Sequence, residues 1–463
     1  MQIIQGLKPQ PDNSVSVIQN LVSFTPGRVN LIGEHTDYNG GMVMPAALHL
    51  GLRAELKVLG GLTDQIFVSS RSVNQTLNLT SEDISRLASQ ILATGIERSE
   101  PVEILGVSKA HSWVNYVAGC FAMFEATLKS RHLVNIPWHQ NCLSIVLDSS
   151  LPQGAGLSSS ASLCVSLLSQ LNVLGGAVLD ASTIARLAMY VEHRFAGTKC
   201  GLMDQLAVLC SRAGYFTRID FLEFPQSHGF HISYARAHAA FQNYALVIFK
   251  TGVNHSLAES AYNERRASCE SALKALNSKL SLNAASLGEL ARLPRFQSID
   301  TESQYLTHLQ TLLESEKDCK TLARRACHAM LENSRVLDAA KALNNGDLQT
   351  LNTAMRASHT ALDTLYEVTC QELNTACSAV EHVVQEICNK MSQPPEVPLI
   401  GPRMTGGGFG GSTVQLVHLS LCDELLERFA DPRNPYTLKT QILPQLYSTR
   451  PSSGFSLGFE CLN

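Results

Sequence analysis

The sequence predicts an α+β protein, in which helices and strands are mixed along one chain. Three observations support this class. The first half alternates strand patterns with helical patterns, the second half contains long helical stretches with fewer strands, and Pro225 and Gly229 interrupt the periodicity between them. We therefore expect a domain boundary near 225–240, in a chain whose 463 residues suffice for two large domains or three small ones.

The elements of the first half are predicted from periodicity and from turn residues. Strands are expected at 46–59, where apolar residues alternate, and at 142–147, which is a short apolar run. The turn LPQGAG follows the second strand. Beyond it leucines recur at helical spacing until the glycine pair 175–176, which predicts a helix directly after a glycine-containing loop.

The next helix is expected at 182–196, capped by Ser182 or Thr183 and closed by Gly197. The stretch 277–305 is rich in Ser and Asn, and we expect an irregular surface insertion there. In the second half, strands are predicted for GYFTRIDF, NYALVIFK and STVQLVHL, and helices at 256–280, 317–345 and 348–391.

Composition excludes two classes of protein. The chain carries 36 Lys and Arg against 40 Asp and Glu, and only 16% of its residues are charged, where roughly 25% is usual. No apolar run approaches the roughly 20 residues that cross a bilayer, which excludes a membrane-spanning protein. Neither the charge balance nor a basic cluster favours nucleic-acid binding. An anion bound by this protein must therefore be held by local geometry.

The thirteen cysteines and the N-terminal segment indicate a cytoplasmic protein. No CxxC motif occurs, so we interpret the cysteines as small buried apolar residues. The N-terminal segment has neither the charged and apolar regions of a secretory signal nor the Arg-rich pattern of a transit peptide. We therefore expect a cytoplasmic location.

The segment GAGLSSS at 154–160 is the most informative functional signal. Its two glycines precede a Ser-capped helix, so that the backbone can approach a phosphate while N–H groups and the helix dipole face it. It is not a Walker A loop, because the Lys of that motif is missing. Its hydroxyls suit phosphate oxygens or Mg²⁺. The alternative is an ordinary turn with a serine cap.

A second glycine cluster, TGGGFGG at 405–411, lies between a Pro-rich break and a predicted strand. Five glycines in seven residues indicate backbone that packs closely on other backbone or on a ligand. The alternative is a flexible linker. Phe409 and the apolar strand that follows argue against a solvated tether.

The segment RVNLIGEHTD at 28–37 places charged and polar side chains around a short apolar core. Carboxylates at Glu34 and Asp37, with an imidazole between them, suit hydrogen bonds to a polyhydroxylated ligand. A solvated polar loop is one alternative. A metal site is another, although the spacing is not that of the helical HExxH motif.

The segment GLMDQ at 201–205 places Asp204 at the start of an apolar run. An Asp at this position is either a helix cap or a base that receives the proton of a substrate hydroxyl. The second role needs a nearby cation that keeps the carboxylate ionised, and Arg28 is the candidate. Glu192 is either a surface acid or a metal ligand.

Taken together, these motifs identify a family resemblance. The order PGRVNLIGEHTDYNGG at 26–41, LPQGAGLSSSAS at 151–162, CGLMDQ at 200–205 and RMTGGGFGG at 403–411 resembles that of the galactokinases, which belong to the GHMP small-molecule kinases. The resemblance extends from about residue 24 to about residue 418. It implies the two-domain GHMP kinase fold, with helices and a sheet in each domain and the active site in the cleft between them. We expect the domains to comprise residues 1–230 and 231–463.

The resemblance also implies ATP-dependent phosphorylation of the C1 hydroxyl of galactose, by a protein that we expect to be monomeric. Asp204 accepts or orients the proton of that hydroxyl, and Arg28 stabilises Asp204 and the developing charge. Ser160 and Glu192 hold Mg²⁺, and Ser69 touches the nucleotide. The phosphates of ATP are cradled by Gly154, Ala155, Gly156, Leu157, Ser158, Ser159 and Ser160, and the sugar is held by Glu34, His35, Thr36, Asp37, Gly201 and Tyr262.

The sequence leaves two other functions open. One is a related sugar kinase that acts on N-acetylgalactosamine or arabinose, although the intact GEHTDYNGG favours galactose. The other is a sensor that binds sugar and ATP without turnover. In such sensors the serine loop is disrupted, whereas GLSSSAS and Asp204 are both present here.

Overall fold

The computed structural model describes residues 2–5, 16–60, 64–102, 113–133, 136–222, 229–254, 258–299 and 301–459. Helices and strands are mixed along these residues, which confirms the α+β class. The strands are β1 (Gln2–Gln5), β2 (Val17–Asn30), β3 (Met42–Val43), β4 (Pro45–Leu59), β5 (Gln65–Ser70), β6 (Gln75–Thr80), β7 (Cys142–Ser149), β8 (Tyr215–Asp220), β9 (His231–Arg236), β10 (Tyr244–Asn254), β11 (Leu399–Thr405), β12 (Gly410–His418), β13 (Gln445–Thr449) and β14 (Ser456–Phe459).

The helices form most of the second half of the described chain. They are α1 (Ser81–Thr94), α2 (Trp113–Ser130), α3 (Ser159–Leu174), α4 (Ala181–Val191), α5 (Met203–Cys210), α6 (Ala258–Leu280), α7 (Leu287–Ala291), α8 (Pro294–Gln297), α9 (Glu302–Leu312), α10 (Cys319–Asn345), α11 (Leu348–Ala361), α12 (Gln371–Cys388), α13 (Leu419–Ala430) and α14 (Pro435–Thr440).

Within the described residues, the strands form three sheets. The largest has the order β1-β6-β5-β7-β4-β2-β14, and its pairs are antiparallel except for β5 with β7. The others have the orders β11-β12-β10-β13 and β3-β8-β9. Strand β14 pairs with β2, so the described end of the chain returns to the first sheet. The expected division at residue 230 stays a prediction.

The largest apolar cluster lies between the seven-stranded sheet and α1 to α5. A second cluster joins residues of β2 and β4 to residues of α10 and β10, so the first and second halves share buried surface. In the described part of the chain, no helix is both long and apolar enough to span a membrane. Its twelve cysteines form no disulfide, and eight of them are buried.

Helix α3 is buried against β2 and β4, and several of its serine hydroxyls form hydrogen bonds there. The Ser162 hydroxyl donates to the carbonyl of Pro26 at 2.6 Å, and the hydroxyls of Ser166 and Ser23 lie 2.8 Å apart. Because buried polar groups stabilise a structure only when they are paired, these bonds fix how α3 lies on the sheet. They place the N-terminus of α3 beside Arg28, near the end of β2.

The expected cap of the helix at 182–196 was wrong. Helix α4 begins at Ala181, and its cap is Asp180, whose carboxylate accepts the N–H of Thr183 at 2.7 Å. The helix continues as a π-helical turn, Glu192–Ala196, and Gly197 ends it with φ = 79°. The end at Gly197 is therefore confirmed. The wider turn carries Glu192, in agreement with the frequent occurrence of π-turns at functional sites.

Two predictions for the second half need correction. The helix expected at 348–391 is interrupted by the π-turn Leu362–Tyr366 and by Glu367. The φ of Glu367 is 54°, a left-handed conformation that ends a right-handed helix. The stretch 277–305 is not an irregular surface insertion. It contains α7 and α8, whose Leu287, Leu290 and Phe296 are buried. A Cβ on Gly288 would lie 2.0 Å from the carbonyl oxygen of Gly40, so this stretch packs on the GEHTDYNGG loop.

Candidate active site

The predicted site residues meet in a cavity of about 310 Å³ between the two halves of the described chain. A larger cavity of about 570 Å³ lies between α1, α2 and α4, but it contains none of the motifs. We assign the active site to the smaller one because it combines carboxylates, hydroxyls and glycine backbone. The predicted residues that line it are Arg28, Glu34, His35, Asp37, Gly154, Gly156, Leu157, Ser158, Ser159, Ser160, Glu192, Gly201, Asp204 and Tyr262.

The loop at 154–160 forms a compact turn before α3. Gly154 and Gly156 have φ of 68° and 69°, a region that glycine adopts at little cost. The Ala155 carbonyl accepts the hydroxyl of Ser412 at 2.7 Å, which joins this loop to the glycine cluster at 405–411. The loop therefore presents backbone to the cavity at the N-terminus of a helix, as an anion cradle requires.

Ser158 occupies the cap position of α3, but its side chain does not cap the helix, which corrects the expectation of a Ser-capped helix. It has φ of 61° and no side-chain bond to the helix backbone. Its hydroxyl instead donates to Oδ2 of Asp204 at 2.6 Å. The first turn of α3 keeps its N–H groups available for a ligand, since no capping side chain occupies them.

Asp204 lies in the first turn of α5 and is held by three hydrogen bonds. The guanidinium of Arg28 donates through Nε to Oδ1 at 2.8 Å and through Nη2 to Oδ2 at 2.7 Å. Ser158 supplies the third bond. The Nη1 of Arg28 also donates to the carbonyl of Gly156 at 2.7 Å. This bidentate ion pair fixes the carboxylate while a quarter of its side-chain surface remains exposed.

Glu192 and Ser160 form an oxygen-rich pair beside Asp204. The Ser160 hydroxyl donates to Oε2 of Glu192 at 3.0 Å, and the side-chain amide of Gln205 donates to Oε1 at 2.7 Å. Burial, with the negative charge of Asp204, raises the pKa of Glu192 to about 7. A hydroxyl and a carboxylate are hard oxygen ligands of the kind that Mg²⁺ prefers, so these residues fit that ion. Among the described residues no group of three or more His, Cys, Asp or Glu could hold a metal.

Glu34 is tied to the glycine cluster by a buried ion pair. Arg403, on β11, donates to Oε2 of Glu34, and the N–H of Gly406 donates to Oε1 at 3.2 Å. Arg403 also donates to the carbonyls of Asn30 and Leu31. Burial raises the pKa of Glu34, and the positive charge of Arg403 opposes that shift. Glu34 thus joins the EHTD loop to the cluster at 405–411, and two of its acceptor positions remain for a ligand.

His35 is a neutral imidazole at the wall of the cavity. Its φ is 65°, and its Nδ1 lies 2.7 Å from the hydroxyl of Tyr38. Burial lowers the pKa of His35 to about 3. Its Nε2 is buried and forms no hydrogen bond of good geometry within the described part of the protein, and the backbone of Gly407 interacts with the ring. The ring of Tyr262 lies 5.2 Å from the His35 ring, centroid to centroid.

Asp37 lies close to Asp204, and its carboxylate needs a glycine beside it. A Cβ on Gly201 would lie 1.9 Å from Oδ2 of Asp37, so no larger residue fits without displacing the carboxylate. The N–H of Met203 donates to the same oxygen at 3.2 Å. Burial, with the charge of Asp204, raises the pKa of Asp37 to about 6.

Three predicted residues do not line the cavity. The hydroxyl of Thr36 donates to the carbonyls of Gly33 and Met42, so it holds the loop from behind. Ala155 is buried and faces Ser412. Ser69 lies on β5, with its hydroxyl 3.4 Å from that of Thr76. Its contact with the nucleotide remains only a prediction.

Sequence reasoning missed several polar residues around the site. Arg403 lies between an apolar run with a proline and a glycine cluster. A single Arg in such surroundings would have been a usable signal. Gln205 directly follows Asp204 in its motif. Glu332 on α10 accepts the N–H of Gly33 at 3.2 Å and the hydroxyl of Ser358, and no local pattern indicates this.

Two family descriptions match the segments that form this cavity. The galactokinase galactose-binding signature matches residues 16–57, and the GHMP kinase N-terminal domain matches residues 115–212. The galactokinase of Clostridium beijerinckii is 34% identical over 436 residues, which cover 94% of this chain and 93% of that protein. The chain belongs to the galactokinase family. The galactokinase of Clostridium acetobutylicum is 33% identical and covers 98% of this chain and 99% of its own length.

Solved structures confirm the GHMP kinase fold of this galactokinase family member. The structure of Lactococcus lactis galactokinase complexed with galactose has a TM-score of 0.73 and 25% identity, and it covers 95% of this chain and 96% of that one. The mevalonate kinase of Methanococcus jannaschii has a TM-score of 0.53 at 15% identity, covering 96% of this chain and 100% of that one. This second likeness shows the fold alone.

Proposed function

We propose that this chain transfers the γ-phosphoryl group of ATP to the C1 hydroxyl of galactose, giving galactose 1-phosphate and ADP, the first step of galactose breakdown. The observation that carries the proposal is the Asp204 carboxylate, held by Arg28 and Ser158 in one cavity with the loop at 154–160 and the EHTD segment. Galactokinases at 33–34% identity over nearly the whole chain support the choice of reaction and sugar.

The sugar is bound by the EHTD side of the cavity. A neutral hexose needs fixed donors and acceptors, and the carboxylates of Glu34 and Asp37 and the imidazole of His35 provide both. Because Gly201 has no side chain, the carboxylate of Asp37 can lie close to the backbone of Gly201. Tyr262 places an aromatic ring beside His35. The sugar is thereby positioned before reaction, which accounts for much of the rate in phosphoryl transfer.

Asp204 receives the proton of the attacking hydroxyl. Both of its oxygens accept from Arg28 and one also accepts from Ser158, which leaves lone pairs on the carboxylate for the C1 hydroxyl. As the bond between the C1 oxygen and the γ-phosphorus forms, the bond from that phosphorus to the β-phosphate oxygen breaks. The proton passes to the Asp204 carboxylate, and ADP leaves. Arg28 stabilises the charge that develops beside it.

The loop at 154–160 binds the phosphates through backbone N–H groups and the N-terminus of α3. Ser160 and Glu192 would hold Mg²⁺ here, and that ion, when bound, neutralises phosphate charge. Because only one carboxylate is offered, the remaining ligands of the ion would come from phosphates and water, which is usual for Mg²⁺ in kinases. The low overall charge of the chain agrees with a phosphate site built from local geometry.

The enzyme is proposed to act as a cytoplasmic monomer. Both the sugar-side and the phosphate-side residues of the cavity belong to this chain, as a monomer requires. The ATP that the reaction consumes is supplied inside cells, which supports a cytoplasmic location.

A coupled assay of ADP release against a sugar panel tests the function. The panel contains galactose, N-acetylgalactosamine and arabinose, each with ATP and Mg²⁺, and calorimetry measures sugar binding in parallel. We expect the highest kcat/KM with galactose. A preference for another sugar would assign the chain to a related kinase. Galactose binding without ADP release would identify a sensor.

A further inference from the structure

Residues 197–204, here called the catalytic segment, connect three parts of the cavity. The segment begins where the π-turn that carries Glu192 ends, and its last residue is Asp204, in the first turn of α5. Between these two points, Gly201 lies against the carboxylate of Asp37. The backbone of the catalytic segment therefore determines where the Asp204 carboxylate lies relative to the proposed sugar and Mg²⁺ sites.

Two side chains of α6 hold the middle of the catalytic segment from the second half of the chain. The Oδ1 of Asn263 accepts the N–H of Lys199 at 3.2 Å, and its Nδ2 donates to the carbonyl of Gly197 at 3.2 Å. The Nη1 of Arg266 donates to the carbonyl of Lys199 at 2.8 Å and to that of Cys200 at 3.4 Å. Because residues three apart lie on the same face of a helix, one face of α6 carries all of these contacts.

The first half of the chain holds the same segment through His193. The Nε2 of His193 lies 2.7 Å from the carbonyl oxygen of Cys200, and since a carbonyl only accepts, the imidazole donates. Burial lowers the pKa of His193 to about 4, so the ring that makes this bond is neutral. The catalytic segment is thus held between the π-turn that precedes it and α6.

Arg266 also contacts the sugar side of the cavity. Its guanidinium carbon lies 5.5 Å from the centroid of the Tyr38 ring, within the range of a cation–π contact. Burial raises the pKa of Asp37, and the positive charge of Arg266 opposes that shift. One turn earlier on α6, Tyr262 lines the cavity. Arg266 therefore joins the sugar-binding loop to the catalytic segment.

We propose that Arg266 and Asn263 are positioning residues, which hold the catalytic segment so that the Asp204 carboxylate meets the C1 hydroxyl of the bound sugar. The proposal rests on the proposed function for the identity of the reaction. Both residues act through the backbone of the catalytic segment. Because catalysis of phosphoryl transfer depends chiefly on positioning, a small displacement of Asp204 should lower kcat more than it weakens substrate binding.

Steady-state kinetics of α6 variants test the positioning role. Arg266→Met removes the guanidinium contacts and keeps an unbranched side chain, and we expect kcat to fall about 10- to 100-fold. The KM for galactose should rise by less than about 5-fold and that for ATP by less than about 2-fold, a split between rate and binding that loss of fold would not produce. Arg266→Lys should recover part of kcat, since an ammonium can still donate to a carbonyl. Asn263→Ala should lower kcat about 5-fold, as loss of a neutral hydrogen bond does.

Glu270→Gln is the matched control on the same helix. The Nε of Arg266 donates to Glu270 at 3.0 Å, and the Glu270 side chain is 65% exposed. This variant removes the charge that pairs with Arg266 and leaves the contacts with the catalytic segment in place. Because exposed ion pairs contribute little, kcat should stay within about 2-fold of wild type.

Hydrogen–deuterium exchange tests the holding of the catalytic segment without relying on activity. We expect peptides that cover 197–204 to exchange faster in Arg266→Met and in Asn263→Ala than in wild type. Peptides that cover the loop at 154–160 should keep the wild-type rate. If Arg266→Met accelerates exchange throughout the chain, Asn263→Ala decides between local and general loosening, because it is the milder change.

Three results would overturn the proposal. They are a kcat within about 2-fold of wild type in both Arg266→Met and Asn263→Ala, a fall in kcat in Glu270→Gln as large as that in Arg266→Met, and unchanged exchange of 197–204 in both α6 variants. If the wild-type protein releases no ADP with galactose, the proposed function fails instead, and the exchange measurement still shows whether α6 holds the catalytic segment.

Discussion

The two sides of the cavity differ in how they handle charge. On the phosphate side, Arg28 and Asp204 form an ion pair whose carboxylate is a quarter exposed, next to a helix N-terminus. On the sugar side, Arg403 and Glu34 form an ion pair that is almost fully buried, and His35 is neutral. Charge is left accessible where the reaction develops charge, whereas on the side that faces a neutral sugar the charge of Glu34 is paired with Arg403 and burial raises the pKa of Asp37 to about 6.

The difference has an energetic consequence. An ion pair that water partly reaches contributes less to stability than a fully buried one, and loss of one partner of a fully buried pair leaves a charge that water cannot reach. We therefore expect changes on the phosphate side to alter the rate. Changes on the sugar side should alter stability and sugar affinity together.

The largest expected effect follows from Asp204→Asn, which removes the acceptor of the proton. We expect kcat to fall by about 10²- to 10⁴-fold, the usual contribution of a general base, with ATP affinity nearly unchanged. Steady-state kinetics and calorimetric ATP titration measure the two quantities. The control is Asp148→Asn, since Asp148 lies at the surface in an ion pair with Arg71. A variant that keeps more than a tenth of the wild-type kcat would contradict the role of Asp204.

The next largest effect concerns Arg403→Met. Removing this guanidinium leaves Glu34 buried without its cation, so we expect the free energy of unfolding to fall by about 3–5 kcal/mol. The pKa of Glu34 is already raised in the folded state, so its ionised form costs stability above its unfolded pKa. The loss should therefore be smaller at pH 5 than at pH 8, as measured by urea denaturation.

The double variant Glu34→Gln with Arg403→Met is the matched test of this pair. Because it removes both charges, part of the stability lost in Arg403→Met should return. If the double variant is less stable than the single one, the charge left on Glu34 is not the cause of the loss. Burial of an unpaired charge would then not distinguish the sugar side of the cavity from the phosphate side.

The phosphate side could be predicted from sequence because its parts are local. The loop at 154–160 is contiguous, and Asp204 follows a glycine within one short motif, so local spacing offered an anion cradle and a base, each beside a structural alternative, and the resemblance to galactokinases chose between them. The sugar side depends on distant partners. Arg403 is 369 positions from Glu34, and Tyr366 is 328 positions from Tyr38. Periodicity carries no information about such pairs, since they form only when the halves pack together.

Distant contacts also explain why two sequence predictions of secondary structure were wrong. The pattern at 348–391 remains helical in period, but the positive φ of Glu367 is stabilised by Arg324 and Arg325, which lie on α10. Ser and Asn at 277–305 are compatible with loops, yet Ser286 caps α7 and Asn277 bonds the backbone of Ala284. In both cases tertiary contacts decided the local structure, as they often do where propensity is weak.

A moderate effect is expected from pH, through Asp37 on the sugar side. Its pKa is raised to about 6, so the ionised acceptor is present only above that pH. We expect kcat/KM for galactose to rise as pH increases from 5 to 7, and Asp37→Asn to lower it and to remove that part of the profile. Asp148→Asn serves again as the control and should keep the wild-type profile. If kcat/KM of the Asp37→Asn variant still rose between pH 5 and 7 as in the wild type, a group other than Asp37 would cause the pH dependence.

The smallest effect is expected from Ser160→Ala, which tests the oxygen pair on the phosphate side. Loss of the hydroxyl beside Glu192 should raise the Mg²⁺ concentration for half-maximal activity by about 5-fold, with the galactose KM unchanged. Ser169→Ala is the matched control on the same helix, because the Ser169 hydroxyl is buried and has no partner among the described residues. An unchanged Mg²⁺ titration would remove Ser160 from the metal site. A changed galactose KM would instead show that the two sides of the cavity are coupled through α3, so that charge handling and sugar recognition are not separable there.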